Sequence, residues 1–346
     1  MNRIITYGSV EAIPFYNCSR KTFAEWETTG TKRQYFGYPL VVFGIFIELL
    51  YIPVIYIIFK TKLIRHACYK IMVFLAFIDM SATCCSCLVT GPLLILGSVF
   101  CMYPTFTYIA GGFVFNTWCM ASATTVSLFI NRIISISFRK YGDMIEKKLA
   151  YFSIALVIFY GFYTYCFTPT ICYNSEIMAW IADPLSEATP SNEAAAMYKN
   201  TVQAWNNWVF VICMFFLFSL YYILIKKLAK GQKSKASKAI FLQCSLICFF
   251  NTVIALVYNA LAIVTPAPWI LAFTQICWAC NHACPAIIYV TMNGTIRKEF
   301  LQLLLRVPPT HVTDLFKGSG SLNISIQKVD DNSSASTAKR STLTKV

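Results

Sequence analysis

Residues 35–59 read YFGYPLVVFGIFIELLYIPVIYIIF and contain a single charged side chain, Glu48. An α-helix of this length extends about 37 Å, which is enough to cross a hydrocarbon core about 30 Å thick. Lys60 and Lys62 follow immediately, and charges of this kind do not enter hydrocarbon without a large cost in free energy. The stretch therefore predicts a transmembrane helix.

Six further apolar stretches follow along the chain, at residues 71–96, 105–130, 149–171, 205–225, 239–264 and 269–292. The whole chain is 57% hydrophobic and 13% charged, with a mean hydropathy of +0.59. Soluble domains average about 25% charged residues, so this chain could not build a solvated surface. The sequence therefore predicts an all-α fold, a bundle of seven transmembrane helices whose first partner is the lipid bilayer.

The distribution of cations between the predicted loops sets the orientation. Fifteen Lys and Arg residues follow spans one, three and five, whereas only Lys199 follows spans two, four and six. Short loops rich in Lys and Arg stay on the cytoplasmic side of a membrane. The sequence therefore predicts an extracellular N-terminus and a cytoplasmic C-terminus. Because the cations are spread over separate loops, the net charge of +14 does not indicate a nucleic-acid partner.

This topology divides the chain into three parts. Residues 1–34 are predicted to form an extracellular N-terminal segment, and residues 35–306 a seven-helix membrane domain that ends in a short amphipathic helix at 297–306. Residues 307–346 are rich in Ser, Thr and charge, which predicts a disordered cytoplasmic tail. The acidic segment from Cys172 to about residue 204 is either a lid over an outer cavity or a solvated loop.

Two features are expected on the extracellular side. Asn17, in Asn-Cys-Ser, is an acceptor for N-glycosylation. Cys101 and Cys172 flank spans three and four on the oxidising side, where a disulfide between them would pin the long outer segment to the third helix. Cys18 and Cys166 are alternative partners that the sequence leaves open.

Charged residues at the depth of the membrane are costly and often functional. The predicted spans contain two acidic residues, Glu48 and Asp79. Asp79 is expected to be either a conformational switch or a hydrogen-bonded structural group, and Glu48 a neutral, hydrogen-bonded one. The third span ends in Asn131-Arg132, where the guanidinium either binds backbone carbonyls of a partner or extends to the membrane surface as an interfacial cation.

Other polar and aromatic residues within the spans are candidates for lining a ligand cavity, with anchoring at the membrane interface as the alternative reading. They are Asn116, Trp118, Trp205, Asn206 and Trp278. The sequence shows no phosphate loop or nucleophile motif, and its histidines are scattered, so neither an enzyme activity, a metal site nor a cofactor is expected. His282 on an apolar stretch is more typical of a packing residue than of a ligand.

Several short motifs together resemble rhodopsin-like G protein-coupled receptors, and more closely the nematode serpentine receptor class T (Srt) family of chemoreceptors. The resemblance covers about residues 7–300. It rests on Leu-Ala-x-x-Asp ending at Asp79, Tyr16-Asn17-Cys18 with Trp26, Cys68-Tyr69-Lys70-Ile71-Met72, Thr90-Gly91, Asn131-Arg132, Asn206-Asn207, Gln243, Ile247-Cys248, Asn251, Trp278, His282, Pro285, Tyr289 and Asn293-Gly294-Thr295-Ile296-Arg297.

The resemblance implies a chemoreceptor that binds an extracellular small molecule or peptide and activates a heterotrimeric G protein. It implies that Arg132 and its neighbour Asn131 engage the G protein, and that Asp79 and Tyr289 belong to the switch. The location implied is the plasma membrane, with the sensory cilium as a narrower site. Asn131 stands where the family pattern of rhodopsin-like receptors has an acid that restrains the arginine, and Pro285 lies four residues before Tyr289 rather than three.

A transporter or channel is the alternative function. In that case the buried carboxylates of Glu48 and Asp79 would form a coupling site for an ion or solute. No repeat between the two halves of the chain is evident, and seven spans do not divide into equal halves. These observations favour the receptor.

The predicted orientation gives a direct test at Asn17. Glycosidase treatment of the expressed protein should raise its mobility on a gel, and Asn17→Gln should abolish that change. Asn293→Gln is the control, because its sequon is predicted to be cytoplasmic and beyond the reach of the glycosylation machinery. A glycan on Asn293 but not on Asn17 would contradict the orientation.

Overall fold

The computed structural model describes residues 1–137, 142–185, 191–228, 235–261 and 268–305. The membrane domain consists of eight helices, named in chain order: α1 Gln34–Lys60, α2 Ala67–Leu96, α3 Pro104–Ser137, α4 Gly142–Phe167, α5 Thr201–Leu228, α6 Lys235–Leu261, α7 Pro268–Met292 and α8 Gly294–Leu305. The smaller elements are the helices Asn2–Tyr7, Phe23–Thr29 and Asn192–Tyr198, the single turns Leu63–Arg65 and Phe100–Met102, and the strands β1 Cys172–Asn174 and β2 Ala179–Ile181.

Helices α1 to α6 are each long and apolar enough to cross a membrane. Helix α7 has 25 residues, but it carries Gln275, Asn281 and His282 in its interior. All three side chains are buried, so these polar residues face protein rather than lipid. The prediction of an all-α seven-helix bundle is confirmed. We call the end that carries the N-terminal segment the outer end and the end that carries α8 the inner end.

The surface of the bundle is apolar where it would meet lipid. Phe46 on α1, Phe159 on α4 and Phe215 on α5 are more than half exposed. Exposed aromatic side chains in this number would be a liability in water, and they suit contact with hydrocarbon. Helix α3 is the central helix, since it packs against α2, α4, α5 and α6.

Helix α2 contains a π-helical segment at Cys84–Val89. A π segment inserts an extra residue into the helix and loosens its ladder of hydrogen bonds. Two side chains compensate: Thr90 Oγ1 donates to the carbonyl of Cys85 at 2.8 Å, and Gln275 Nε2 of α7 donates to the carbonyl of Ser86 at 2.9 Å. The irregular turn is therefore tied to α7.

The N-terminal segment folds over the outer end of the bundle. The aromatic ring of Tyr16 is fully buried and makes edge-to-face contacts with the rings of Phe100, Tyr108 and Tyr198. Burial raises the pKa of Tyr16 well above its ordinary value. The segment predicted as residues 1–34 is thus packed against the outer ends of the helices.

A β-hairpin covers the bundle beside this segment. Strands β1 and β2 pair antiparallel, with Cys172 opposite Ile181. Trp180 of β2 reaches into the bundle and donates from Nε1 to Thr90 Oγ1 at 3.0 Å. The chain before the hairpin crosses Gly111 of α3 so closely that a Cβ there would lie 1.6 Å from the Ile171 carbonyl oxygen. The hairpin therefore sits as a lid on α3.

The disulfide joins Cys18 to Cys101, with 5.4 Å between their Cα atoms. The predicted pairing of Cys101 with Cys172 is wrong. Trp26 Nε1 donates to the Cys18 carbonyl at 2.9 Å, and the packing of Tyr16 on Phe100 carries Cys18 to the outer end of α3. Cys172 lies in the same cluster as a buried free thiol. Burial raises the pKa of the Cys172 thiol, which disfavours the reactive thiolate.

Helix α8 follows α7 at the inner end, where a helix at 297–306 was predicted. Its Glu299 forms an ion pair of 3.0 Å with Lys60 at the end of α1. The predicted disordered tail, 307–346, lies outside the described residues, as does nearly all of the proline-containing link between α6 and α7.

The disulfide gives a stability test. Cys18→Ala and Cys101→Ala should each lower the free energy of unfolding by about 2 to 4 kcal/mol, because the unfolded chain loses a crosslink. Thermal melting of the purified protein measures the loss. Cys172→Ala, from the same buried cluster, is the matched control and should keep the disulfide. A peptide containing Cys101 linked to Cys172 in non-reducing digests would contradict the assignment.

Candidate functional site

A buried polar cluster joins α1, α2 and α7 at mid-depth. Asp79 of α2 is 2% exposed, and its Oδ1 lies 2.8 Å from Nδ1 of His282. Tyr51 of α1 donates its hydroxyl proton to the carbonyl of His282 at 2.6 Å and also lies 3.2 Å from Asp79 Oδ2. We call Tyr51, Asp79, Trp278 and His282 the core polar cluster.

Trp278 determines which nitrogen of His282 carries a proton. Its indole Nε1–H can only donate, and it lies 3.1 Å from Nε2 of His282. Nε2 must therefore be unprotonated and act as the acceptor. The proton on Nδ1 then points at Asp79 Oδ1 and makes a buried hydrogen bond. A buried acid is tolerated at this depth because it is paired.

A second cluster lies at the inner end of α3. Arg132 donates from Nη2 to Oδ1 of the adjacent Asn131 at 2.7 Å, and the same nitrogen lies 3.7 Å from Oε2 of Glu146 on α4. Asn131 is fully buried and donates to the Glu146 carbonyl at 3.4 Å. The side chains of Arg132 and Glu146 are each only 11% exposed, so their attraction is weakly screened.

Tyr289 is buried between the two clusters. It lies within electrostatic range of Asp79 on one side and of Cys68, which neighbours Arg132, on the other. Its hydroxyl has no hydrogen-bond partner among the residues that the structure describes. The structure therefore brings Tyr289 near both clusters but bonds it to neither.

The predicted cavity residues fall into three places. Trp118 and Trp278 line a small central cavity of about 30 Å³ beneath Trp180 of the hairpin. Asn116 is buried elsewhere, where its Oδ1 accepts a hydrogen bond of 2.9 Å from Thr164 and ties α3 to α4.

Trp205 and Asn206 line a much larger space that opens sideways between α3, α4 and α5. We call it the lateral cleft; it measures about 700 Å³ and is lined by Ser122 and Val126 of α3, Leu156 and Tyr160 of α4, and Asn206 and Val209 of α5, among others. Trp205 is 71% exposed at its edge. The predicted set of five residues is therefore not one site.

Glu48 stands apart from both polar clusters. It is half-buried on α1, its Oε1 has no hydrogen-bond partner within the described ranges, and it lies near the thiols of Cys84 and Cys87 in the π segment. The two membrane-buried carboxylates, Glu48 and Asp79, do not share a site. The expectation that Glu48 is hydrogen-bonded is not met for this oxygen.

Three residues of these clusters were not identified from the sequence. Glu146 precedes Lys147 and Lys148 and has the pattern of a solvated inner loop. His282 was assigned to packing, and Tyr51 was not singled out. Besides Asp79 itself, the sequence signal for the core polar cluster is the spacing of Trp278 and His282, which places them one turn apart on the same face of α7.

The fold and these clusters define a seven-helix membrane bundle of the serpentine type. The family model described as serpentine type 7TM GPCR chemoreceptor Srt matches residues 3–312, so the chain belongs to this family. It is 23% identical over 295 residues to serpentine receptor class T-55 of Caenorhabditis elegans, covering 84% of this chain and 80% of that protein. The resemblance drawn from the sequence motifs is confirmed.

The core polar cluster can be tested by a double-mutant cycle. His282→Ala leaves the indole of Trp278 without a partner and Asp79 with Tyr51 alone, which should cost about 1 to 3 kcal/mol and lower Tm by several degrees. In the double variant with Asp79→Asn, the losses of stability from the two single variants should not add, because both changes break the same contact. Thr291→Val, on the exposed face of α7, is the control and should not change Tm. Strict additivity would show that the two residues are independent.

Proposed function

We propose that this chain is a chemoreceptor that binds a ligand from its outer side and activates a heterotrimeric G protein at its inner end. In this proposal the outer end is extracellular and α8 and the tail are cytoplasmic. The plasma membrane is the site of action, with the sensory cilium implied by the family. Membership of a chemoreceptor family supports the general class, and the contacts of Arg132 support the mechanism.

The observation that carries the proposal is the restraint on Arg132. Its guanidinium is held by Asn131 on its own helix and by Glu146 on α4, so it cannot reach a partner at the inner end. The sequence pattern raised the question of what replaces the missing acid beside this arginine. Glu146 supplies that negative charge from the neighbouring helix.

The mechanism follows from a two-state equilibrium. A ligand that binds the active state more tightly shifts the population toward it. Movement of α3 relative to α4 would break the 3.7 Å ion pair and free a planar set of donors suited to backbone carbonyls of the G protein. Lysines after the fifth helix would add a positive surface; those at 230 and 233 lie outside the described residues.

The core polar cluster is the proposed switch. It ties α1, α2 and α7 through Asp79, and Tyr289 on α7 lies between it and Arg132. A change in the hydrogen bonds of His282 therefore shifts α7, the helix that also carries Tyr289. Tyr289 lies on the side of the core polar cluster that faces the inner cluster. The unpartnered hydroxyl of Tyr289 is free to take a new partner in the active state.

Transport through the bundle is the competing function. It would require Glu48 and Asp79 to act on one ion or solute. Asp79 is already paired with His282 and Tyr51, whereas Glu48 faces Cys84. The separation of the two carboxylates favours the receptor.

The restraint on Arg132 predicts opposite effects of two substitutions. Arg132→Ala should abolish G-protein activation while leaving surface expression near normal. Glu146→Gln removes the charge that holds Arg132, which should destabilise the inactive state by about 1 kcal/mol. The equilibrium between the inactive and active states then shifts toward the active state, and basal signalling should rise about fivefold. Both are measured by nucleotide exchange on a G protein reconstituted with the receptor.

Glu299→Gln is the matched control, because it removes the other ion pair at the inner end and should leave basal signalling unchanged. Equal basal signalling in Glu146→Gln and wild type would contradict the restraint. Solute flux or ion current without G-protein activation would contradict the receptor function as a whole.

A further inference from the structure

In the described part of the outer end, the hairpin lies over a small cavity. This central cavity of about 30 Å³ holds a water molecule or two, and Trp180, which lines it, donates a hydrogen bond to Thr90. The N-terminal segment is joined to the same end of the bundle by the disulfide to Cys101. Ligand sites for small molecules usually measure about 300 to 1,000 Å³. The lateral cleft, at about 700 Å³, has that size.

The lateral cleft opens where the bilayer would be. Helix α3 packs against both α4 and α5, and the cleft separates α4 from α5. Leu156 and Val209, on its two rims, are 58% and 52% exposed. On α5 the lining extends from Val202 to Cys213, which corresponds to about 16 Å along the helix. The space is thus an elongated trench facing the hydrocarbon.

The chemistry of the trench selects an uncharged occupant. All of its lining residues belong to the described ranges, and none of them is Asp, Glu, Lys, Arg or His. A charged group placed there would be buried without a counter-ion, which is very costly. Most of the lining is aliphatic or aromatic, so the body of the occupant is apolar.

One end of the trench is polar. Tyr160 donates its hydroxyl proton to Asn206 Oδ1 at 3.0 Å. The amide nitrogen of Asn206 makes only long contacts of 3.4 Å, to Ser122 Oγ and to Asn207 Oδ1. A ligand oxygen at about 2.9 Å would satisfy that N–H better than either neighbour. The polar end therefore offers one good donor to an incoming group.

This donor is connected to the receptor interior. Asn207 Oδ1, which accepts the weak bond from Asn206, also accepts a bond of 2.8 Å from Trp118 Nε1. Trp118 lines the central cavity together with Trp278, and Trp278 belongs to the core polar cluster. A group that draws Asn206 away from Asn207 thus changes the surroundings of the proposed switch.

We propose that the lateral cleft, with Tyr160 and Asn206 at its polar end, binds an uncharged, lipid-like ligand that enters from the bilayer. The ligand has an apolar chain or ring system and one hydrogen-bonding head group. The proposal rests on the proposed receptor function; it names the ligand class and replaces direct entry from the outer solvent by entry through the bilayer.

The test uses the full-length receptor in phosphatidylcholine nanodiscs with a photoreactive palmitoyl monoacylglycerol as probe. Labelled peptides are mapped by mass spectrometry. We expect adducts concentrated on the cleft-facing residues of α4 and α5. Val209→Trp fills the mouth of the cleft and should lower that labelling about fivefold or more. Ile212→Trp, equally exposed on the same helix but outside the cleft, should leave it unchanged.

Asn206→Ala provides a second variant in case Val209→Trp fails to reach the surface. This variant lacks the amide N–H that would donate to the ligand head group. Unlabelled monoacylglycerol should therefore compete with the probe about five- to tenfold less well. Palmitate, which carries a charge, should compete poorly with the probe on the wild-type protein. Equal competition by the neutral and the charged lipid would overturn the assignment of ligand class.

Two further outcomes would overturn the site. Labelling spread evenly over the exposed faces of α1, α4 and α5 would show that the probe contacts the protein only as ordinary bilayer lipid does. Crosslinking of Cys213 to the same residue in another copy would show that a second chain covers the cleft. Basal G-protein activation by the Glu146→Gln variant distinguishes failure of the ligand site from failure of the receptor function. If Glu146→Gln activates the G protein but labelling is even, only the proposed ligand site is contradicted. If labelling is localised to the cleft but no G-protein activation occurs, the ligand site stands and the signalling function is contradicted.

Discussion

Hydrocarbon supplies no hydrogen bonds, and the rest of the structure depends on that constraint. Backbone groups are satisfied within the long helices, and where α2 opens into its π segment, Thr90 and Gln275 supply the missing contacts. Side chains obey the same rule. Asp79 is stable at mid-depth because His282 and Tyr51 reach it from two other helices. The cluster that makes this charge tolerable is therefore also the cluster that couples α1, α2 and α7.

The two ends of the bundle are closed in different ways. At the outer end, a folded N-terminal segment, a disulfide and a hairpin lie over the helices, and Trp180 of the hairpin donates a hydrogen bond to Thr90. At the inner end, Glu146 holds Arg132. The lateral cleft lies between them, on the side that faces lipid. With the ligand class proposed above, the receptor would respond to apolar chemicals dissolved in the membrane.

The contact between Arg132 and Glu146 shows how one physical requirement can be met by different residues. A largely buried guanidinium needs a nearby negative charge. The neighbouring residue along α3 is Asn131, which is uncharged but accepts one hydrogen bond, and the charge comes from α4. Because the partner is 14 residues away and on another helix, no spacing rule within α3 could identify it.

The sequence by itself determined the seven apolar helices, since hydropathy is a local sum over about 20 residues and does not depend on neighbours. It also marked Asp79 and Arg132, because a charge among apolar residues is visible without a structure. The tertiary structure decided which residues meet. Cys18 rather than Cys172 pairs with Cys101, and the candidate ligand residues divide between a central cavity and the lateral cleft. The physical reason is that these contacts depend on how each helix is rotated and on how the N-terminal segment folds back, and no local pattern records either.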